Sequence, residues 1–450
     1  MKSIHRDIRL PARQRGQALI YGIAILFGAL AATFFLFNTG QLSAEKTKLV
    51  NAADAVAYSA GVMHARALNF DAYTNRALIA NETTVAQLVS VSSWLEYSKE
   101  HSESVFPLLC NTIYSIPIVT LTIEYEPLCL LLAYGGATAA ITGIESFYNA
   151  GATGFMALAE ASKVTLQAAQ FAMYADMVIA RNQTLSDVAN ANYKDDGTIA
   201  VDTIPLTDNW TLFEGSPFIS RRSGDERARF RELEVGIINK DEFVRNRSWS
   251  SQSPWPCILL PVGRAAHDGG TVLQGYDTWQ ANDSAAFTLR KYKFSLFNSG
   301  CKEIAEYGLG DSTKTAGNSG NDFYYSGVPS FYELSEAALG YVPENSDAAE
   351  RDPHLQFAIR LTRDKGQQKT SSGRSEIKPS GRLDLYASNQ ASNKMAAVST
   401  SEVYFDRAHT PRGDGRTELA SLFNPFWQVR LVPNSAAVST AALVLQGAGN

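Results

Sequence analysis

Residues 18–37 read ALIYGIAILFGALAATFFLF, and no Asp, Glu, Lys or Arg occurs from Gly16 to Ala44. At about 1.5 Å rise per residue, twenty helical residues span roughly 30 Å, the hydrocarbon thickness of a bilayer. Buried helices of soluble proteins seldom run that far without a charge, and a secretory signal has a shorter apolar core that ends in a small-x-small site. The stretch therefore predicts one transmembrane helix over 17–37. Lys2, Arg6, Arg9, Arg13 and Arg15 precede it with only Asp7 against them, whereas Glu45, Lys46 and Lys48 follow close behind. The positive-inside bias then keeps the basic leader, 1–16, in the cytoplasm and sends the rest of the chain across the membrane. Gly22, Gly28 and Ala32 give the helix a small face suited to packing against a partner helix in lipid.

The 450 residues are 45% hydrophobic and 19% charged, which excludes a disordered chain and supplies a sizeable core. A formal net charge of −5 argues against a nucleic-acid partner. A second apolar stretch, 127–143 (PLCLLLAYGGATAAITG), has no Lys or Arg between Lys99 and Lys163 to hold a return crossing, so it reads as a buried hairpin or helix. All four cysteines follow the apolar segment and fall into two local couples, Cys110 with Cys129 and Cys257 with Cys301. An even number in an exported region favours disulfides over metal ligation, and spacing leaves all three pairings open.

Residues 38–194 read as a helical stalk or antiparallel bundle. Alanines dominate 41–98 with no proline, and Leu158, Ala161, Thr165, Ala168 and Ala172 fall on one helical stripe. Beyond residue 195 the texture changes. Five of the six tryptophans lie there, and several runs alternate with period two, as at Leu355, Phe357, Ile359 and Leu361, and at Trp427, Val429 and Leu431. The alternation in 287–297 slips at Arg290 and Lys291, where a β-bulge fits. Residues 330–339 read as a short helix, and the polar segment 362–381 as a mobile loop between strands 355–361 and 383–388. The fold class is thus α+β. A membrane helix continues into a long helical stalk, followed over 195–450 by a mainly antiparallel β domain with a few short helices.

Motifs for catalysis are missing: there is no HExxH, GxSxG, P-loop or strand-borne GxGxxG. Asp311–Asp322 (DSTKTAGNSGND) lacks the EF-hand pattern and reads as a polar loop. His267 and Asp268 read as solvated turn residues, and Arg412-Gly413-Asp414 as a chance tripeptide. The expectation is a chain that is not an enzyme and needs no cofactor or metal.

RQRGQALIYGIAILFGALAATFF, a short polar hinge, and then KTKLVNAADAVAYSAG resembles the N-terminal segment of TadE/TadG-like proteins of the Tad (Flp-type) pilus system. Arg15-Gly16-Gln17 and Asn51-Ala52-Ala53-Asp54-Ala55-Val56-Ala57 carry the resemblance, over residues 13–61. It implies a bacterial inner-membrane protein with a periplasmic or surface-exposed domain, acting as a minor-pilin-like or pilus-assembly component. Other pilus subunits would be its partners, met through the N-terminal helix at Gly22, Gly28, Ala32, Asn51, Ala52, Ala53 and Asp54. It also implies a candidate prepilin-peptidase cut between Gly16 and Gln17. Two departures matter. The DxSxS sequence of a von Willebrand A metal site is absent, and Tyr21 stands where major pilins carry Glu. The alternative expectation is a membrane-anchored periplasmic binding protein or enzyme unrelated to pili.

Overall fold

In the computed structural model, the apolar segment opens one unbroken helix, α1 (Gln17–Ser115), of 99 residues. The structure describes residues 17–115, 136–339, 353–369 and 394–447, apart from 205–206, 214, 253, 255, 259–260, 296–298, 408–410 and 416–417. At 1.5 Å per residue α1 is about 150 Å long. One proline, Pro107, stands in its last turns, and several of its threonines and serines donate to the carbonyl four residues back, as Thr33 does to Ala29 and Thr39 to Phe35 (both 2.9 Å).

A second helix, α2 (Ala137–Asn192), lies antiparallel to α1. Polar pairs fix the register along its length. Ser102 reaches Thr138 (3.1 Å), Ser92 reaches Asn149 (2.7 Å) and Asn81 reaches the Ala159 carbonyl (2.9 Å). Further along, Gln170 donates to Thr74 and Asn75 (both 2.8 Å), and Arg181 meets His64 at 3.2 Å. Of the apolar stretch 127–143, residues 127–135 lie outside the described residues and 137–143 form the first turns of α2.

The remaining elements are β1 (Ala200–Thr203), β2 (Ile219–Arg222), α3 (Ala228–Ile238), α4 (Glu242–Arg245), β3 (Trp249–Gln252), β4 (Val262–Gln274), β5 (Thr278–Lys293) and β6 (Gly300–Gly317). After them come β7 (Phe323–Tyr324), β8 (Phe331–Leu334), α5 (Glu336–Leu339), β9 (Leu355–Asp364), β10 (Lys394–Phe405), β11 (Trp427–Val432) and α6 (Ala436–Leu445). They form an antiparallel sheet β1-β9-β10-β11, a pair β2-β8, and a five-stranded sheet β3-β4-β5-β6-β7 that is antiparallel except between β6 and β7. The fold is α+β.

Both larger sheets pack on α1. Leu49, Ala52, Ala53, Val56, Ala57 and Ala60 are buried against β9, β10 and the end of α2, while Leu78, Val85, Ala86 and Val89 share a core with α3, β4, β5 and β6. Contact with the sheets is close where side chains are smallest. A Cβ on Gly61 would meet Val429 Cγ2 at 2.3 Å and Ser401 Cβ at 3.1 Å. At Gly310 (φ +114°), β6 rides over the backbone of His101, where a Cβ would meet the amide nitrogen at 2.8 Å.

Several local expectations shift. Of the helix expected over 330–339, Phe331–Leu334 instead form β8, which pairs with β2 while all four of its side chains are buried, and only Glu336–Leu339 are helical. The β5/β6 register slips between Leu289 and Arg290, one position before the expected bulge, and again between Ser284 and Ala286. β9 runs to Asp364, three residues into the expected loop. Its described partners are β1 and β10, while residues 370–381 and the expected strand 383–388 lie outside the described residues. Asp311–Gly317 are the end of β6, not a loop.

The two expected cysteine couples differ in outcome. Cys257 and Cys301 form a disulfide (Cα–Cα 5.9 Å), which joins the segment before β4 to the start of β6. The couple Cys110 and Cys129 falls outside the described residues. Cys129 itself is not among them, and Cys110 lies in the last turns of α1 with its side chain outside them.

Candidate assembly site

The N-terminal part of α1 stands clear of the folded body. Over its most apolar window the mean hydropathy is 2.3 and none of the window is buried against the rest of the chain. The segment is long and apolar enough to cross a membrane, and the hydroxyls of Thr33 and Thr39 donate to carbonyls of the same helix, as a hydrocarbon environment favours. Gly22 and Gly28 have nothing within 4 Å of where a Cβ would stand, and Ala32 is exposed, so their small faces are open. Gly16 and the side chain of Gln17 lie outside the described residues.

Where the apolar segment meets the body, charges lock it in place. The Arg363 guanidinium, at the end of β9, holds Glu45 of α1 at 2.7 Å and donates to the Asp196 carbonyl at 2.6 Å. Lys48 of α1 and Lys369 both pair with the Asp196 carboxylate. The Tyr193 ring lies beneath Lys48 (4.4 Å) and Arg363 (4.7 Å). Burial alone would raise the Asp196 pKa. Hydrogen bonds from Lys48 and Lys369, with the Arg363 charge, overcome it and hold the carboxyl well below its usual range. Beside this knot an open cleft of about 660 Å³ is lined by Gly40, Ser43, Thr47, Lys48, Asn51 and Asn192.

The remaining expected packing residues divide between the two surfaces. Asn51 is exposed and faces the cleft. Ala52 and Ala53 are buried within this chain, against Leu185, Ala189 and β9. Asp54 accepts a hydrogen bond from Ser399 of β10 at 2.7 Å. The alanine motif thus serves the approach of α1 to its own sheet. Of the four candidate disulfide residues, Cys257 and Cys301 are brought together, whereas Cys129 and the side chain of Cys110 lie outside the described residues.

Residues 16–67 match the protein family described as "Putative Flp pilus-assembly TadE/G-like". The match takes in the free apolar helix, Glu45 and Lys48 of the charged junction, and the buried alanines up to the close approach at Gly61. No curated protein and no solved structure matches the chain.

Two buried polar clusters carry no sequence motif. Lys163 of α2 is 2% exposed, donates to Glu160 and the Gly327 carbonyl (both 2.8 Å), and faces Glu82 of α1 at 3.1 Å. The Tyr325 hydroxyl donates to Glu82 at 2.6 Å. Glu234 of α3 is fully buried nearby, and burial, then the Glu82 charge, push its pKa well up. In the second cluster, Arg247 grips Asp283 with two 2.8 Å bonds while Ser93 of α1 donates to the same carboxylate at 2.6 Å. His267 sits 3.3 Å from Asp283 and its ring lies tilted, 4.5 Å from that of Tyr97, whose pKa burial and the Asp283 charge push up to about 12. His267 is therefore a buried strand residue, not the solvated turn residue expected. Asp268 turns to Ser248 instead (2.5 Å). Among the described residues no three His, Cys, Asp or Glu side chains converge as a metal-ligand set. Isolated charges in apolar helices, Glu82 and Lys163 above all, are the one sequence signal that could have marked these clusters.

Proposed function

We propose that this chain is a single-pass component of Tad-type pilus assembly, minor-pilin-like. Residues 18–37 lie in the inner membrane, the basic leader faces the cytoplasm, and the folded body stands in the periplasm or on a surface filament. One observation carries the reading: the segment that matches the pilus family begins with an apolar helix free of the fold and continues without a break into the spine of the body. A helix presented this way can be inserted beside others by burying its small face, with no chemistry required. The open faces at Gly22 and Gly28 are where a neighbouring helix would pack.

The test is to shear filaments from the native bacterium and search them for this chain, including its N-terminal peptide. A filament-borne chain that begins at Gln17 would make it a processed minor pilin. An inner-membrane chain with residues 2–16 intact would make it an assembly factor. Co-purification with no pilus protein would overturn the reading and leave an anchored envelope protein of another kind.

A further inference from the structure

α2 is built inside out. Glu160, Lys163, Gln170 and Arg181 are buried against α1 and the sheets, while Phe147 (84%), Ile179 (69%) and Leu158 (64%) are exposed. The stripe through Leu158, Ala161, Thr165, Ala168 and Ala172, which helical spacing marks as one face, is largely the outward one. It extends as an unbroken alternation of three and four residues. One row is Ile144, Gly151, Leu158, Thr165, Ala172 and Ile179, and the other is Phe147, Gly154, Ala161, Ala168 and Ala175. These residues are uncharged, and all of them are exposed. Phe155, Val164 and Phe171, also exposed, widen the strip, and Asp176 stands at its edge. A repeat of 3.5 residues sustained over five heptads is the seam of a two-stranded left-handed coiled coil. A single helix packed on a core needs no such second face.

We propose that this face pairs with the same face of a second copy of the chain, with the two α2 helices parallel and in register. Three arguments select a second copy. A strip without charges offers nothing to an acidic or basic partner, yet it is self-complementary about a two-fold axis. From Ile144 to Ile179 it is about 53 Å long. At a width of roughly 10 Å it buries on the order of 1,000 Å² between two copies, the lower bound of a specific interface. The glycines and alanines at the seam, with nothing within 4 Å of a Cβ on Gly151 or Gly154, allow close approach. The parallel sense rests on the anchor reading above: α2 runs antiparallel to α1, so two copies held in one bilayer present their strips side by side at equal height. The same geometry sets the strip along the membrane normal, away from the lipid surface.

The experiment uses the full-length chain in its native membrane. Ala161→Cys, oxidised with copper phenanthroline, is expected to give a disulfide-linked dimer well above the unsubstituted chain and above Lys240→Cys, an exposed position away from α2. Two differently tagged copies, one Ile144→Cys and the other Ile179→Cys, are expected not to cross-link with each other, because only an antiparallel pair brings those positions together. Leu158→Glu is expected to lower the dimer formed through Ala161→Cys at least about tenfold, since it sets like charges face to face. The tryptophan-monitored unfolding curve of that variant should stay unchanged. Cross-linking of Ala161→Cys no stronger than that of Lys240→Cys, an Ile144–Ile179 link, or capture of a different protein in place of a second copy would overturn the proposal. Failure of the anchor reading shows separately, as release of the unsubstituted chain by alkaline carbonate.

Discussion

Lys163→Met tests whether buried charge ties α1 to α2 and the five-stranded sheet. The change keeps most of the side-chain volume and removes the ammonium that lies 3.1 Å from Glu82, 2.8 Å from Glu160 and 4.1 Å over the Tyr325 ring. At an effective dielectric near 20, unit charges 3.1 Å apart attract by about 5 kcal/mol. Desolvating the lysine already offsets much of that, so the cost of the variant is that of a carboxylate left buried and unpaired, about 3–5 kcal/mol. Glu82 can limit the loss by taking up a proton, and burial already raises its pKa even with the lysine present. The loss should therefore be smaller at pH 5 than at pH 8. Adding Glu82→Gln should recover most of it. The assay is urea unfolding of the detergent-solubilised chain followed by tryptophan fluorescence, to which the buried Trp279 beside this cluster contributes. A loss under about 1 kcal/mol at pH 8, or no recovery in the double variant, would refute the reasoning.

Gly61→Leu should destabilise the body by at least about 1–3 kcal/mol, because even its Cβ would overlap Val429 and Ser401. Equal urea midpoints for Gly61→Leu and the unsubstituted chain would contradict the close approach of α1 to β10 and β11. Glu234→Gln should flatten the pH dependence of stability. With its folded pKa well above the ordinary 4.5, Glu234 keeps a proton that the unfolded chain releases. Its contribution is complete below pH 4.5 and falls as pH rises toward the folded pKa, by up to about 1.4 kcal/mol per pH unit. Urea midpoints between pH 5 and 8 should fall faster for the unsubstituted chain than for Glu234→Gln, and parallel slopes would refute the assignment.

The sequence by itself determined whatever depends on local composition. A charge-free run of twenty residues can only be an apolar helix, and the small residues from Asn51 to Gly61 announce a close packing surface. Period-two alternation placed β9 and β11, the first buried along nearly its whole length and the second at Trp427. Tertiary structure decided what that packing surface meets. Alanine spacing is the same whether the neighbour is a partner helix or the chain's own sheet, and only the fold brings Leu361 and Ala397 into one core with Ala53. Cysteine spacing likewise left three pairings open, and the approach of the segment before β4 to the start of β6 selects Cys257 with Cys301. The fold also decided which way α2 faces. The stripe through Leu158 and Ala168 has the periodicity of a core-facing helix, but Lys163 and Arg181, on the opposite side, find carboxylate partners in Glu82 and Asp208. Once those ion pairs form inside, helical geometry turns the apolar stripe outward. No periodicity argument could foresee this, because the partners lie some eighty residues upstream on α1 for Lys163 and in the strand-connecting segment after β1 for Arg181.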